Sequence, residues 1–267
     1  MASKKRKSVG TSKNVRISNP VIDFDLFLSK ENEQRYHSVL NSVKLHNEKW
    51  LDKDILVSNI ASIKSWLENM DWFDYLCSSQ NIYPRLVKFF YDNLEKTTTC
   101  VAKSFILGNC VEISPDTIAE VLGISCSGIT HFNDIEKSDA LVICLERSDF
   151  NPLMTITSSH LPIVTRILLL IVTNTSFPRE GSHTLPFERD LKLVACIKNG
   201  TLINLHCLII NHILSKPNHI PYPMLISRIL TSLNLGIADE HLVKPKTEQL
   251  INKADLKSCK IEFTEGL

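Results

Sequence analysis

Apolar residues recur every three, four or seven positions along most of the chain, which is the spacing of one face of an amphipathic α-helix. Several helix starts are marked as well, because Pro84 suits a first helical turn and Ser114 followed by Pro115 suits an N-cap and the turn behind it. The pattern predicts helices over residues 31–50, 56–70, 84–94, 115–122, 161–175, 187–199, 202–214 and 222–233.

The pattern changes to strands between residues 100 and 113. Two short apolar runs, 101–107 and 110–113, flank Gly108-Asn109, a pair that can adopt positive φ in a tight turn. We therefore expect one β-hairpin here. Residues 124–157 mix polar residues with one apolar patch, and the pattern leaves open whether this loop contains a helix.

These elements predict a mainly α fold, with one helical domain over residues 20–240 into which the β-hairpin is inserted. Residues 1–19 are basic, polar and without hydrophobic periodicity, so we expect a disordered tail there. Residues 241–267 are expected to form a polar C-terminal tail. One hydrophobic core should contain the residues on the apolar sides of the later helices: Leu168, Ile171, Leu205, Ile209, Ile226 and Ile229.

The charge is unevenly distributed, although 30 bases and 29 acids give a net charge of only +1. Six bases and no acid fall within residues 1–16, so the remaining 24 bases face all 29 acids and leave about −5 on the rest of the chain. Binding to phosphates needs clustered Lys and Arg. We therefore expect nucleic acid to bind through the tail only.

Four adjacent cations give this tail a specific candidate site, namely Lys4, Lys5, Arg6 and Lys7. Such a cluster on a flexible arm can fill the acidic groove of an import receptor or lie along phosphates. We expect it to act as a nuclear-localisation signal and a polyanion contact. The alternative is a solubilising tail on a cytoplasmic protein.

No motif for catalysis, cofactor binding or zinc binding occurs in the sequence. It contains no Cys-x-x-Cys pair, no P-loop, no Gly-x-Gly-x-x-Gly and no Gly-x-Ser-x-Gly elbow. The densest His-Cys pair is His206-Cys207, and we expect His206 to be a hydrogen-bonded core histidine. The acids that a nuclease triad would need are expected in helix starts and solvated turns: Asp71, Asp74, Asp116, Glu120, Asp134 and Glu136. We expect no enzyme activity, no cofactor and no metal.

Two further expectations concern the cysteines and the membrane. The eight cysteines are dispersed, and we expect free thiols in a reducing compartment. The longest aliphatic run, residues 167–172, is far short of the roughly 20 residues that span a bilayer, so no membrane association is expected.

Five ordered blocks between residues 35 and 236 form a recognisable series: residues 82–94, 108–115, 178–183, 200–205 and 222–226. This series resembles the putative plant transposon protein domain family, in which a Tyr-Pro pair like Tyr83-Pro84 opens a helix. Ile113 departs from the pattern, because an aromatic residue is usual at its position in the family. The resemblance implies a plant mobile-element origin and assigns no catalytic or metal-binding residue.

Three functional hypotheses remain. We favour a transposon-derived, non-catalytic nuclear protein whose helical domain mediates contacts with proteins, nucleic-acid-associated ones among them. The second hypothesis is a capsid-like structural protein of a plant retroelement. The third is a degenerate transposase or nuclease.

Overall fold

The computed structural model describes residues 25–55, 60–95, 97, 100–151, 154–179, 181, 183–215 and 219–258. The predicted tail over residues 1–19, with its cluster Lys4 to Lys7, lies outside these residues. Cys259 and the rest of the C-terminal nine residues lie outside them too.

The described part of the chain is mainly helical, as the hydrophobic spacing predicts. The helices are α1 (Lys30–Arg35), α2 (Ala61–Asn69), α3 (Phe73–Leu76), α4 (Pro84–Asp92), α5 (Pro115–Leu122), α6 (Lys137–Leu145), α7 (Ile163–Asn174), α8 (Glu188–Asn199), α9 (Leu205–Leu214), α10 (Pro223–Ser232) and α11 (Lys253–Ser258). A π-helical turn, Tyr36–Leu40, continues α1.

The β-hairpin is confirmed. Strand β2 (Ala102–Ile106) pairs antiparallel with β3 (Asn109–Ile113) in an unbroken five-residue register. The two turn residues are Leu107 and Gly108, one position earlier than predicted, and both have positive φ (48° and 77°). The Asn109 side chain donates to the Leu107 carbonyl at 2.7 Å, which stabilises this tight turn.

The helix ends in a turn at residues 41–43 and the chain beyond it is not helical, so the predicted helix over residues 31–50 is wrong in its second half. Tertiary pairing explains the difference, because Leu45 forms a parallel bridge with Ile220 and the His46 N–H donates to the Ile220 carbonyl at 2.9 Å. Strand β1 (Trp50–Leu51) follows this bridge and pairs parallel with β4 (Leu250–Ile251). Helical spacing is a local signal that long-range pairing can override.

The segment after residue 240, which the sequence sets apart as a polar tail, packs against the helical domain through α11. Val243 and Ile82 exchange two backbone hydrogen bonds, and β4 adds the pairing with β1. Ile251 and Leu256 are both buried in the main core. The few apolar residues of this polar segment are therefore enough to attach it.

The predicted core is confirmed, since all six of the named residues are fully buried in one cluster. Helix α8 packs against both α6 and α7, so α7 is buried along most of its length. Helix α6 lies in the segment for which the sequence left loop and helix open. No described helix is long and apolar enough to cross a bilayer.

Candidate functional site

An open groove of about 460 Å³ lies between the loop of residues 130–133 and the first turn of α8. Its remaining walls are Phe177 and the α9 residues from Leu208 to Ser215. The groove combines aromatic, amide, hydroxyl and cationic side chains. This mixture suits recognition of a polar ligand rather than burial of a purely apolar one.

Gly128 brings the backbone just before the loop of residues 130–133 close to residues 202–204, which precede α9. The backbone here pairs with residues 202–204, since the Ile129 N–H donates to the Leu202 carbonyl and the Asn204 N–H to the Ile129 carbonyl, both at 2.9 Å. Gly128 has a φ of +101°, and a Cβ at this position would lie 2.3 Å from the Leu202 backbone. Only glycine permits this close approach.

Arg189 presents its guanidinium on the wall of the groove, stacked on Phe177. The central carbon of the guanidinium is 3.8 Å from the centre of the Phe177 ring, well within the range of a cation–π contact. The ring of His212 stacks on Phe177 as well, 4.2 Å away and 12° from parallel. Two groups this close to one ring centre must occupy its opposite faces.

The acids that flank Arg189 in the sequence are engaged elsewhere. The Glu188 carboxylate is 2.8 Å from Lys192 Nζ, one turn along α8, and this contact lowers the pKa of Glu188. The Asp190 carboxylate is 3.0 Å from Arg179 Nε. Among the residues that the structure describes, Arg189 has neither a hydrogen bond nor an ion pair, so its N–H donors remain available to a ligand.

The Arg179–Asp190 ion pair is buried beneath this wall, with side-chain exposures of 5% and 0%. Asp190 also accepts the Phe187 N–H at 3.0 Å, which caps the start of α8, and Arg179 donates to the Leu185 carbonyl. The Arg179 guanidinium lies 4.3 Å from the centre of the Phe187 ring. The segment 177–179 and the start of α8 are therefore held together by two arginine–phenylalanine contacts and one buried ion pair.

A chain of hydrogen bonds fixes the tautomer of His212. The Tyr222 hydroxyl donates to the Ser176 carbonyl at 3.3 Å, so its oxygen is free to accept from His212 Nδ1 at 3.0 Å. Burial lowers the pKa of His212 to about 3, and the ring is neutral at physiological pH. The proton on Nδ1 leaves Nε2 as a hydrogen-bond acceptor.

Glu48 occupies a second notable environment, at the start of α10. The Met224 N–H donates to its carboxylate at 2.8 Å, and Leu225 supplies a further backbone contact. Burial nevertheless raises the pKa of Glu48 to about 7. This carboxyl group helps to cap a core helix and titrates near neutrality.

The six acids considered for a nuclease triad are all exposed, and they lie at helix starts and in turns as predicted, except for Glu120, which lies in the body of α5. Asp74 contacts Lys53 at 2.8 Å and Asp134 lies 4.0 Å from His131. Within the described ranges, no group of three or more His, Cys, Asp or Glu residues is placed to hold a metal ion. The described cysteines are free thiols, as predicted.

His206 is buried as predicted, but the expectation that it is hydrogen-bonded is wrong. Neither ring nitrogen has a partner within the described part of the chain. Burial lowers the pKa of His206, so it is neutral in the core.

The residues that form the groove wall were missed by the sequence analysis. Phe177 stands in a helix-breaking segment and Arg189 stands between two acids, a setting in which a local salt bridge is expected. One sequence signal could have indicated an available arginine. Arg189 lies between Glu188 and Asp190, and Arg179 is a second base that can pair with Asp190. Which of the two bases pairs with Asp190 depends on tertiary contacts.

Comparison with known proteins gives one match. A family model described as "Putative plant retrotransposon-related domain" matches residues 68–234, which is more than half of the chain and includes the whole groove. No curated protein and no solved structure matches the chain.

Proposed function

The chain belongs to the putative plant retrotransposon-related domain family, and from this premise we propose that it is a non-catalytic nuclear protein whose helical domain mediates contacts with other proteins. The observation that carries the proposal is the available Arg189 guanidinium, stacked on Phe177 in an open groove. A planar cation held in this way is preorganised for binding.

The groove side chains favour recognition over bond-breaking chemistry. Arg189 remains protonated in proteins and cannot serve as a base, and His212 is already engaged through Nδ1. The other polar groups at the groove include the Asn211 amide and the Ser215 hydroxyl. These groups can orient a ligand through hydrogen bonds.

A nuclear location is proposed from Lys4, Lys5, Arg6 and Lys7, the cluster that suits an import receptor. The test is a fluorescent fusion of the full-length chain in plant cells, beside a variant with all four residues changed to Ala. The fusion should accumulate in the nucleus and the variant should lose that accumulation. A cytoplasmic full-length fusion would overturn this part of the proposal.

Contact with other proteins is tested by cross-linking and co-precipitation from plant nuclei. The full-length protein should capture a reproducible set of proteins, and Arg189→Gln should lose members of that set. Arg147→Gln is the matched control, because Arg147 is also exposed but lies outside the groove. Identical sets for all three proteins would overturn a role for the groove.

The two alternatives predict different results in solution. A capsid-like protein should form large assemblies in size-exclusion chromatography, whereas our proposal expects a monomer or dimer. A degenerate nuclease should cleave DNA in a metal-dependent reaction that one Asp substitution abolishes.

A further inference from the structure

The groove described above carries an inference about the chemistry of its partner. We propose that it binds an acidic segment of another protein, with a Glu or Asp carboxylate of that segment bonded by the Arg189 guanidinium. This inference rests on the proposed function, because it names the partner class for the same groove.

Charge complementarity supports an acidic partner. Lys192, the other cation of the α8 wall, is balanced by Glu188 and also donates to the Phe132 carbonyl at 3.4 Å. Arg189 has no such partner within the described residues. The unbalanced charge of this wall is therefore one guanidinium, which matches a single carboxylate.

The geometry of Arg189 fits a carboxylate in particular. Contact with the Phe177 ring limits the positions that the guanidinium can adopt on the groove wall. A guanidinium presents paired N–H donors that match the two oxygens of a carboxylate. Because the contact with Phe177 already restricts the Arg189 side chain, less side-chain entropy is lost when the ligand binds.

Two observations argue against a single-stranded nucleic acid as the occupant. Such ligands stack their bases on aromatic faces, but Arg189 and His212 already cover both faces of Phe177, one of the two phenylalanines that line the groove. They also need several cations along the backbone, whereas Lys192 is paired with Glu188 and Arg189 is the one described Lys or Arg lining the groove that has no ion pair. A peptide with one or two acidic residues fits this charge pattern better.

The neutral side chains near Arg189 offer contacts for the rest of such a segment. The Asn211 amide can donate to and accept from a peptide backbone, and the Ser215 hydroxyl, which donates to the His212 carbonyl at 2.6 Å, can accept one turn further along. At about 460 Å³ the groove has room for a few side chains of an extended segment. The proposed ligand is thus a short, acidic, extended stretch of a partner protein.

The test uses the purified full-length protein on an array of pentapeptides with varied flanking positions. The central residue is Glu, Gln, Lys or phosphoserine, and an immobilised oligothymidylate provides the nucleic-acid arm. We expect at least about 10-fold stronger retention on central Glu than on central Gln, because hydrogen bonds to charged groups contribute that much. Equal retention on Glu and Gln peptides would overturn the proposal.

Three variants assign the binding to the groove. Arg189→Gln should lose the preference for Glu, Arg189→Lys should keep part of it, and Arg147→Gln should leave it unchanged. The same array is run on protein with Lys4 to Lys7 changed to Ala, so that binding by the basic tail is separated. A Glu preference that survives Arg189→Gln, or disappears with the tail substitutions alone, would contradict the proposal.

The remaining outcomes separate this inference from the proposed function. If Arg189→Gln lowers retention on oligothymidylate or on phosphoserine peptides instead of Glu peptides, the groove takes a phosphate and the inference is wrong. If no peptide preference exists but capture of nuclear proteins still depends on Arg189, the inference falls and the proposed function stands.

Discussion

Asp190 and Arg179 form a buried ion pair in which the carboxylate oxygen Oδ2 lies 3.0 Å from the guanidinium Nε. The pair joins the segment before the groove to the first turn of α8, and it engages the acid that would otherwise neutralise Arg189. The position of one buried carboxylate thus decides which arginine remains available at the surface.

Changing Asp190 to Asn should lower the free energy of unfolding by about 3–5 kcal/mol, because it removes the buried negative charge that faces the Arg179 guanidinium. Urea denaturation measures the loss. Glu188→Gln is the matched control, since its ion pair with Lys192 is half exposed on the Glu side and should contribute less than about 1 kcal/mol. Equal losses for the two variants would contradict the role of the buried pair.

Gly128→Ala should both destabilise the protein and weaken the groove. The added methyl group would lie 2.3 Å from the Leu202 backbone, so the backbone at Gly128 must move away from residues 202–204 and shift the adjoining loop of residues 130–133. Thermal unfolding and retention on the peptide array measure the two effects. Gly123→Ala is the control, because it also has positive φ but a Cβ there meets nothing within 4 Å. A similar response of the two variants would rule out the close approach as the cause.

Truncating Leu205 or Ile209 to Ala should cost about 2–5 kcal/mol, the range for a fully buried aliphatic side chain. Leu202→Ala tests the same chemistry at a side chain that is 49% exposed, and it should cost much less. Urea denaturation measures the free energy of unfolding of all three variants. A small cost at Leu205 and Ile209 would mean that these helices are not packed as described.

Ionisation of Glu48 should lower the free energy of unfolding as the pH rises. The pKa of Glu48 is raised from 4.5 in the unfolded chain to about 7 in the fold, so the native state binds the proton more tightly. The resulting stabilisation is complete below pH 4.5 and is lost as the pH rises to about 7. The difference in free energy of unfolding between Glu48→Gln and the unmodified protein should therefore shift by about 3 kcal/mol in favour of the variant as the pH rises from 4.5 to 8.

Buried histidines act in the opposite direction and must be separated from this effect. Burial lowers the pKa of His46 to about 4 and that of His212 to about 3. Because the unfolded chain binds these protons first, both histidines lower the free energy of unfolding as the pH falls below 6.5. Their contribution is common to the Glu48→Gln variant and the unmodified protein. A difference between those two proteins that does not change with pH would contradict the assignment to Glu48.

Deleting residues 1–16 should abolish nuclear accumulation and salt-sensitive DNA binding together. The deletion removes six cations, and each phosphate contact contributes about 0.9 to the slope of log K against log salt on duplex DNA. The measurement is DNA affinity at several salt concentrations. A truncated protein that retains a steep slope would reveal a basic face on the helical domain.

The sequence predicts those elements whose signal is local. The hairpin follows from its turn residues, and the start of α5 follows from Ser114, whose hydroxyl caps the Thr117 N–H as the residue type suggests. The extended chain at His46 was not predictable in this way, because its partner Ile220 lies more than 170 residues away. The groove was missed for the same reason, since the availability of Arg189 depends on Arg179 engaging Asp190.

The pairing of β1 with β4 sets the order in which the polypeptide can acquire its structure during synthesis. Trp50 cannot pair before Leu250 has been synthesised. Joining sites about 200 residues apart costs roughly 5 kcal/mol of chain entropy, which is more than the pairing of two residues can offset alone. The helices between them must therefore assemble first and bring the two strands together. If synthesis stops after α10, the strand edge at Trp50 and Leu51 remains unpaired, and such an edge can be bound by chaperones or can aggregate.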